Sequence, residues 1–189
     1  MSLLLHLCCA PCLLYPKQVL NGEGFTFTGY FYNPNIHPYK EFRKRLDGVI
    51  SYSKDQNIPL IIDRDYGLRD FLRAVVFKES QRCPVCYQMR LDKTVITAQE
   101  RGFKYFSSTL LYSKYQNHSL IKKQGDNLSG KSPVSFIYRD FREGWQQGVD
   151  ESLSLDMYRQ PYCGCVYSEQ ERYDNRYKKK LRKEKRLHV

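Results

Sequence analysis

Seven cysteines, gathered in three short clusters far apart along the chain, constrain the fold more than any other feature. The number is odd, and the start of the chain lacks the basic region of a secretory signal peptide. We therefore expect reduced thiols rather than a disulfide framework. Three clusters that meet in space would make one thiol-rich pocket. The clusters are Cys8-Cys9-Ala10-Pro11-Cys12, Cys83-Pro84-Val85-Cys86 and Cys163-Gly164-Cys165.

Alternating strand and helix patterns predict the fold that carries these clusters. Helical periodicity separates short apolar or aromatic runs that are typical of buried strands. This order predicts an α/β fold with a mainly parallel sheet. Chemistry in such sheets gathers at the carboxyl ends of the strands, and the first cysteine cluster directly follows the first strand. The predicted strands are residues 3–7, 25–32, 59–63, 105–110 and 134–138.

Several predictions between the strands are specific enough to compare with the structure. Residues 68–79 and 140–158 are expected to be helical. A helix is expected to start over residues 118–123 and to be loosened by Gly125, Gly130 and Pro133. Residues 33–38, which contain two prolines and two asparagines, are expected to form a loop.

Spacing alone leaves three interpretations of the cysteines open. A structural zinc site uses four thiolates and leaves three unexplained. A thiol oxidoreductase explains Cys9-Ala-Pro-Cys12 between a strand and a helix, but it leaves the other two clusters without a role. An iron–sulfur cluster takes four thiolates, and the others bind a second metal or lie beside the cluster. Soft thiolate ligands suit zinc and iron–sulfur alike, so the spacing does not identify the metal.

A basic C-terminal tail, residues 172–189, is predicted to follow a single metal-binding catalytic domain over residues 1–171. The tail holds nine Lys/Arg and two acids, hence a net +7 of the chain's +11. Such a density suits a polyanion such as nucleic acid, and a merely solvated tail is the other interpretation. The residues expected to bind RNA are Lys178, Lys179, Lys180, Arg182, Lys183, Lys185 and Arg186.

Composition and hydropathy exclude two other classes of protein. Hydrophobic residues make up 41% of the chain, which is enough for a packed core and argues against wholesale disorder. No apolar run approaches the roughly 20 residues that a membrane span requires. We therefore expect a cytoplasmic protein without a membrane partner.

Residues around the cysteines extend each cluster into a longer motif. The motifs are Leu5-His6-Leu7-Cys8-Cys9-Ala10-Pro11-Cys12, Arg82-Cys83-Pro84-Val85-Cys86 and Tyr158-Arg159-Gln160-Pro161-Tyr162-Cys163-Gly164-Cys165-Val166-Tyr167-Ser168. Together they resemble one family, the QueH-type epoxyqueuosine reductases, and residues 32–38, 107–111 and 114–118 also fit it. The resemblance covers nearly the whole chain outside the tail. The three clusters in this order are specific, whereas any one of them alone is weak.

The resemblance implies a three-layer α/β sandwich related to PP-loop ATPases, within the HUP-like group. It implies reduction of the epoxide of epoxyqueuosine to the alkene of queuosine at the wobble position of tRNA, without cobalamin. The implied cofactors are a [4Fe-4S] cluster and an adjacent mononuclear iron or zinc, with all seven cysteines as metal-binding and catalytic residues. The implied partners are the anticodon stem-loop of tRNA and an unidentified electron donor. Because the first cysteine cluster replaces the expected phosphate-binding loop, we expect no use of ATP.

Five other polar residues are weaker candidates for the site. His6 is interpreted as a buried, hydrogen-bonded core residue rather than a ligand. His118 follows a possible helix cap, and Asp63 is either a turn residue or a partner of the metal site. Arg139 and Arg142 follow the last strand and bind phosphates or form salt bridges. Two other functions stay open: a thioredoxin-like oxidoreductase and a zinc-stabilised RNA-binding module.

Overall fold

A computed structural model describes residues 1–187, and within residues 181–187 it describes the side chain of Lys183 only. The fold is α/β, with a five-stranded, wholly parallel sheet of order β3-β2-β1-β4-β5. The strands are β1 (Ser2–His6), β2 (Thr26–Phe31), β3 (Leu60–Ile62), β4 (Tyr105–Ser108) and β5 (Ser135–Phe136). The helices are α1 (Leu14–Gly22), α2 (Tyr39–Asp55), α3 (Leu68–Val75), α4 (Arg82–Glu100), α5 (His118–Ser129), α6 (Trp145–Ser154), α7 (Val166–Tyr173) and α8 (Asn175–Leu187).

Strand β1 is the centre of the hydrophobic core. It pairs with β2 on one side and β4 on the other, and Leu3, Leu4 and Leu5 are completely buried. A central strand of a parallel sheet has both faces covered, which explains an unbroken apolar run rather than an alternating one.

Helices cover both faces of the sheet, which confirms the predicted three-layer architecture. The connections from β1 to β2 and from β2 to β3 place α1 and α2 on one face, and α6 packs against α1. The chain then crosses to the other side of β1, so α4 and α5 lie together on the opposite face. Within residues 1–187, no helix combines the length and the apolar character that crossing a bilayer requires.

The strand order creates a switch point between β1 and β4. The chain leaves β1 toward one face of the sheet and leaves β4 toward the other, so the two carboxyl ends diverge and open a crevice. Ligands of open α/β sheets bind in such crevices. The first cysteine cluster begins two residues after β1 ends, at the edge of this crevice.

Two predicted helices are shorter in the structure. The helix predicted over residues 68–79 ends at Val75, because Val76 is extended and Phe77 adopts a positive φ of 61°. Residues 140–158 form a short 3-10 turn followed by α6, which ends at Ser154 before Asp156 adopts a φ of 47°. Left-handed backbone at a non-glycine residue stops a helix as effectively as proline does.

The basic tail is helical rather than irregular where the structure describes it. Helix α7 ends at Tyr173, and Asp174 then accepts hydrogen bonds from the backbone N–H groups of Arg176 and Tyr177 at 2.9 and 3.0 Å, which caps α8. Of the predicted RNA-binding residues, Lys179, Lys180 and Lys183 are exposed and Lys178 is half-buried. The side chains of Arg182, Lys185 and Arg186 lie outside the described residues.

Gly125 does not loosen α5, contrary to the prediction, and instead lets the helix approach β5. A Cβ atom at this position would lie 2.3 to 2.6 Å from ring atoms of Phe136. The helix continues through this position to Ser129, and a larger residue at position 125 would have no space.

We predict that Gly125→Ala lowers the free energy of unfolding by about 1–3 kcal/mol, the usual cost of overpacking a core. Thermal unfolding followed by circular dichroism measures the change. Gly22→Ala is the matched control, since it lies in the last turn of α1 with no atom within 4 Å of its Cβ. That substitution should be neutral or stabilise the protein by up to about 1 kcal/mol. Equal effects of both substitutions would contradict the close helix–strand contact.

Candidate metal centre

The first cysteine cluster forms a compact group of three buried thiols, the cysteine trio (Cys8, Cys9 and Cys12). Their sulfur atoms all lie within 4.8 Å of one another. The Sγ atoms of Cys9 and Cys12 are 2.7 Å apart, and those of Cys8 and Cys9 are 3.8 Å apart. A short 3-10 turn at Pro11–Leu13 between β1 and α1 folds the chain back on itself, and this turn brings the three side chains together.

Hydrogen bonds divide the cysteine trio into one acidic thiol and two weakly acidic thiols. Hydrogen bonds from Cys12 and Cys9 hold the pKa of Cys8 well below its usual value, and Thr109 donates to its Sγ at 3.4 Å. Burial above all raises the pKa of Cys9, and the hydrogen bond to Cys8 raises that of Cys12. These opposite shifts favour ionisation of Cys8 before that of Cys9 or Cys12, and a thiolate is the form of cysteine that binds a metal ion.

The other two clusters meet at a neighbouring position as the cysteine quartet (Cys83, Cys86, Cys163 and Cys165). Cys83 and Cys86 lie three residues apart in the first turns of α4, on one face of the helix. The pKa of Cys86 is raised to about 12, first by burial, and the adjacent thiols of Cys163, Cys165 and Cys83 raise it further. Cys86 and Cys165 are buried, whereas Cys83 and Cys163 are exposed. Among the described residues, only the cysteine trio is gathered within 4.8 Å.

Local structure explains the spacing of the last two cysteines. Cys165 is the N-cap of α7, and its Sγ accepts a hydrogen bond from the backbone N–H of Ser168 at 3.4 Å. Gly164 has a φ of 140°, and a Cβ there would lie 3.1 Å from Ile36 and 3.4 Å from Arg45. The absence of a side chain at Gly164 thus lets the side chains of Ile36 and Arg45 lie close to the backbone between the two cysteines.

Residues 33–38 form a hub segment that ties all three cysteine clusters together. Asn33 donates from Nδ2 to the carbonyl of Leu7, just before the cysteine trio, at 2.9 Å. The backbone N–H of His37 donates to the carbonyl of Gly164 at 2.7 Å. Oδ1 of Asn35 accepts from Nε of Arg90, on the helix that carries Cys83 and Cys86, at 2.7 Å. The predicted loop is therefore correct in position, and its asparagines are buried structural links.

Two buried arginines lie between the cysteine groups. Arg45 donates to Glu41 at 2.7 Å, to the carbonyl of Cys163 at 2.9 Å and to that of Tyr162 at 3.0 Å. Arg90 is only 1% exposed, and among the described residues it has no carboxylate partner. Its positive charge lowers the pKa values of Cys8 and Cys86, against the effect of burial on both. The two guanidinium groups therefore offset the negative charge of thiolates inside the site.

A cavity of about 530 Å³ opens onto both cysteine groups. Cys8 and Cys12 of the trio and Cys163 of the quartet line it, together with Arg45 and Arg90. Amide groups reach the sulfur atoms from its wall. Gln160 donates to Cys9 Sγ at 3.2 Å, and Gln116 donates to Cys163 Sγ at 3.4 Å.

The weaker candidates from the sequence have structural roles. His6 is fully buried and hydrogen-bonded to Ser108 Oγ at 2.9 Å and to the carbonyl of Tyr32 at 3.0 Å, as interpreted. Asp63 accepts from the N–H of Asp65 in a turn, which is one of the two roles proposed for it. Arg139 and Arg142 form ion pairs with Glu23 and Asp140.

His118 is also accounted for by local structure. Its Nε2 is hydrogen-bonded to the carbonyl of Ser113 at 3.3 Å. The preceding Asn117 caps α5, because its Oδ1 accepts from the backbone N–H of Leu120 at 3.1 Å.

Sequence reasoning missed the polar residues that organise the site. Arg45, Arg90, Gln116 and Gln160 are ordinary in type, and each reaches the site across a long sequence separation. The two glutamines could have been found from the sequence, because Gln160 and Gln116 both lie within segments that carry the family resemblance. The arginines carry no comparable local signal.

Fold and site together define the class of this protein. It is an α/β protein with a wholly parallel sheet, in which a group of three thiols follows the first strand at the switch point of the sheet. Seven thiols converge on this edge from three distant parts of the chain.

The chain belongs to the epoxyqueuosine reductase QueH family. The model of the family described as "Epoxyqueuosine reductase QueH" matches residues 3–171. A protein of that name from Dehalococcoides mccartyi is 38% identical over 172 residues, which cover 91% of this chain and 94% of the relative. One from Thermotoga maritima is 36% identical over 184 residues, which cover 90% and 92% of the two chains. The family resemblance predicted from the motifs is confirmed.

A solved structure confirms the predicted architecture. The U34-tRNA thiolase NcsA from Methanococcus maripaludis, determined with its [4Fe-4S] cluster, superimposes with a TM-score of 0.54 at 15% sequence identity. The similarity covers 92% of this chain and 64% of the thiolase chain. At this identity the comparison establishes a shared fold.

We predict that Arg45→Lys loosens the segment that carries Cys163 while the fold is retained. Lysine keeps the charge beside Glu41 but cannot replace the forked hydrogen bonds to the carbonyls of Tyr162 and Cys163. Hydrogen exchange of residues 160–165 should accelerate by about tenfold or more, because hydrogen bonds to charged groups contribute about 1.5–3 kcal/mol.

Arg43→Lys is the matched control, because Arg43 lies on the same helix in an exposed ion pair with Asp47 at 3.2 Å. Such pairs contribute little, so exchange should not change. Unchanged exchange in both variants would show that Arg45 does not position the cysteine segment.

Proposed function

We propose that this chain reduces epoxyqueuosine to queuosine at the wobble position of tRNA. The observation that carries the proposal is the cavity of about 530 Å³, onto which thiols of both cysteine groups open beside two buried arginines. The name of the family and of its nearly full-length relatives supports the reaction. The volume is typical of small-molecule pockets, so the cavity suits one modified base extruded from a loop.

The proposed reaction removes one oxygen atom from an epoxide and leaves a carbon–carbon double bond. Both carbon–oxygen bonds break, two electrons and two protons are consumed, and the oxygen leaves as water. The electrons must come from an external donor, so the proposed partners are tRNA and an electron donor. We propose the cytoplasm as the location, since the substrate is tRNA.

The buried arginines are the groups of this chain best placed to act on the substrate. Arg90 lines the cavity without a carboxylate partner among the described residues, and Asn35 fixes the orientation of its guanidinium. A fixed positive charge in a site of low dielectric stabilises negative charge that develops on the epoxide oxygen. Arg45 makes its three hydrogen bonds to protein groups, and its role is to position the Cys163 segment.

The donor set fits the two metal groups that the sequence resemblance implies. We propose that the cysteine quartet holds a [4Fe-4S] cluster and that the cysteine trio holds the mononuclear iron or zinc. Support comes from spacing, because the trio's sulfur atoms within 4.8 Å of one another suit a single ion, whereas the quartet is more open. The cluster would supply electrons one at a time, and the single ion would act as a Lewis acid.

Cobalamin and ATP have no part in the proposed reaction. The thiol sites offer ligands for an electron-transfer group inside the cavity itself, so a separate organic carrier is not needed. A phosphate loop presents free backbone N–H groups after the first strand. Here the N–H of Cys8 already donates to Thr109 at 3.1 Å, and Pro11 has no N–H.

Cysteine-to-serine pairs test this assignment of metals. After purification without oxygen, the wild type should be brown and contain about four sulfides and at least about four irons per chain, as a [4Fe-4S] centre requires. Cys83→Ser with Cys86→Ser should lose the sulfide and the colour. Cys9→Ser with Cys12→Ser should keep both and lose one metal ion. Metal and sulfide analysis with visible spectroscopy measures each outcome.

The two pairs serve as controls for each other, since each removes two thiols. Loss of sulfide from the Cys9/Cys12 variant alone would reverse the assignment. A colourless wild type with one zinc and no sulfide would favour a zinc-stabilised RNA-binding module instead. Disulfide reduction that needs Cys9 and Cys12 but no metal would favour the thiol oxidoreductase.

The basic tail is proposed to hold the RNA backbone next to the cavity. Helix α7 starts at Val166, directly after its N-cap Cys165, and includes Arg172, which lines the cavity. Helix α8 continues from there, and residues 175–189 carry eight Lys/Arg and one Glu. A row of cations that begins at the cavity rim suits the phosphates that flank an extruded base.

Truncation after Asp174 is predicted to weaken tRNA binding by about tenfold or more and to leave iron and sulfide content unchanged. It removes α8 but keeps α7, where Arg172 and the Cys165 cap reside. Binding measured over a range of salt concentrations should also show a shallower salt dependence, by about one unit of slope for each phosphate that the truncated chain no longer neutralises.

Lys179→Gln with Lys183→Gln provides an intermediate control, since it removes two exposed charges and keeps the helix. Its affinity should fall between those of the wild type and the truncated chain. Unchanged affinity of the truncated chain at moderate salt would assign the tail a solubilising role only.

A further inference from the structure

One part of the cavity wall is aromatic and remains unused by the proposed chemistry. Trp145, the only tryptophan of the chain, lines the cavity together with Tyr112 and Tyr115. The rings of Trp145 and Tyr112 stack with their centroids 5.2 Å apart and their planes at 26°. Tyr115 meets Trp145 edge to face, with the centroids 5.8 Å apart and the planes at 84°.

Tyr115 is exposed even though its ring meets Trp145 edge to face. The residue is 84% exposed, whereas Tyr112 is 3% exposed. Tyr112 contributes to the core, and its hydroxyl donates to the carbonyl of Trp145 at 2.9 Å, which holds the indole in place. A tyrosine that leaves its ring in water gains little for folding, so its position at a cavity rim points to a ligand.

The backbone holds Tyr115 in a defined place beside the thiols. Its N–H donates to Ser113 Oγ at 3.2 Å, and the next residue, Gln116, donates to Cys163 Sγ at 3.4 Å. Tyr87 donates to Oε1 of the same Gln116 at 2.7 Å, from the helix that carries Cys83 and Cys86. The tyrosine is therefore anchored one residue away from a side chain that contacts the cysteine quartet.

Charge at the same rim indicates the kind of ligand. Lys114 places its Nζ 5.5 Å from the centroid of the Trp145 ring, and Arg159 and Arg172 also line the cavity. Aromatic rings interleaved with cations are the arrangement by which proteins bind single-stranded RNA, since each base has a face to stack and each linkage has a charge.

We propose that Tyr115 and Trp145 form a stacking platform for a nucleobase adjacent to the one that enters the cavity. This inference rests on the proposed function, because an extruded wobble base leaves its neighbour unstacked at the rim. The platform gives that neighbour a new partner and thereby fixes the RNA in the position that reduction requires. The ligand class is a single-stranded RNA loop, read by stacking rather than by hydrogen bonds.

The single tryptophan provides a direct measurement. Titration with a synthetic anticodon stem-loop RNA should quench the fluorescence of Trp145 as the base stacks against the platform. Tyr115→Ala should raise the Kd about tenfold, a change within the range measured for one stacked base. Tyr115→Phe should stay within about twofold of the wild type, because the ring and not the hydroxyl stacks.

Phe77→Ala is the matched control, since Phe77 is a 94% exposed aromatic residue outside the cavity wall. It should leave the Kd unchanged. Tyr115→Ala should also retain the iron and sulfide content of the wild type, which separates lost stacking from damage to the metal site.

Abasic stem-loops identify the base that stacks. An abasic site on one side of the wobble position should weaken binding to the wild type as much as Tyr115→Ala does. The same RNA should then bind the Tyr115→Ala variant no more weakly, because both changes remove one interaction. If the affinity lost through the abasic site and the affinity lost through Tyr115→Ala add up in the combination, the proposal is wrong. It is also wrong if the Tyr115→Ala variant has the same Kd as the wild type.

Failure of the platform and failure of the proposed function give different results. If the wild type reduces epoxyqueuosine in tRNA but Tyr115→Ala binds equally well, the platform is wrong and the function stands. If Tyr115→Ala loses affinity as expected while the wild type, loaded with its metals and supplied with a chemical reductant, leaves epoxyqueuosine unchanged, the platform stands and the reductase proposal fails.

Discussion

The hub segment, residues 33–38, is the constraint on which the site depends. The three cysteine clusters lie on separate elements, and each is joined to this one loop by a buried hydrogen bond. The loop follows β2 at the same edge of the sheet as the end of β1, so the topology places it within reach of all three. Buried polar groups must be paired, so moving one cluster away would leave an orphaned asparagine or guanidinium. The hydrogen bonds thus hold three separate cysteine segments together at one pocket.

Charge balance explains why arginines rather than apolar residues fill the space between the clusters. Burying a guanidinium is costly unless a negative group lies nearby, and among residues 1–187 Arg90 has no carboxylate for that purpose. Its charge instead favours the thiolate form of Cys8, whose pKa is held low first by hydrogen bonds from Cys12 and Cys9 and also by Arg90. The same positive charge assists burial in keeping His6 neutral, because burial first and Arg90 second lower its pKa to about 4. The site is therefore electrostatically prepared for thiolate ligands, and its histidine remains a structural group.

The sequence predicted what depends on local pattern and missed what depends on distant contacts. The apolar run of β1, the alternation of elements and the position of the hub segment follow from composition within short windows. The cysteine motifs also placed the thiols at one site. The division into a trio and a quartet did not follow from spacing, because it depends on how α4 and α7 meet across the sheet edge. Arg45 reaches Cys163 over 118 positions, and the prediction for Gly125 was wrong because this glycine admits Phe136 from another element.

The cysteine quartet lies between the cavity and the outer surface, and this placement has a consequence for the proposed reduction. Cys163 lines the cavity, whereas the exposed Cys83 is absent from its wall and lies at the start of α4. A bound RNA that stacks at the rim and fills the cavity would therefore cover Cys163 and leave Cys83 accessible. On the proposed function, an electron donor can approach the Cys83 side while the substrate remains enclosed. Because electrons enter one at a time and the reaction consumes two, a site open on a second side allows both transfers without release of the RNA between them.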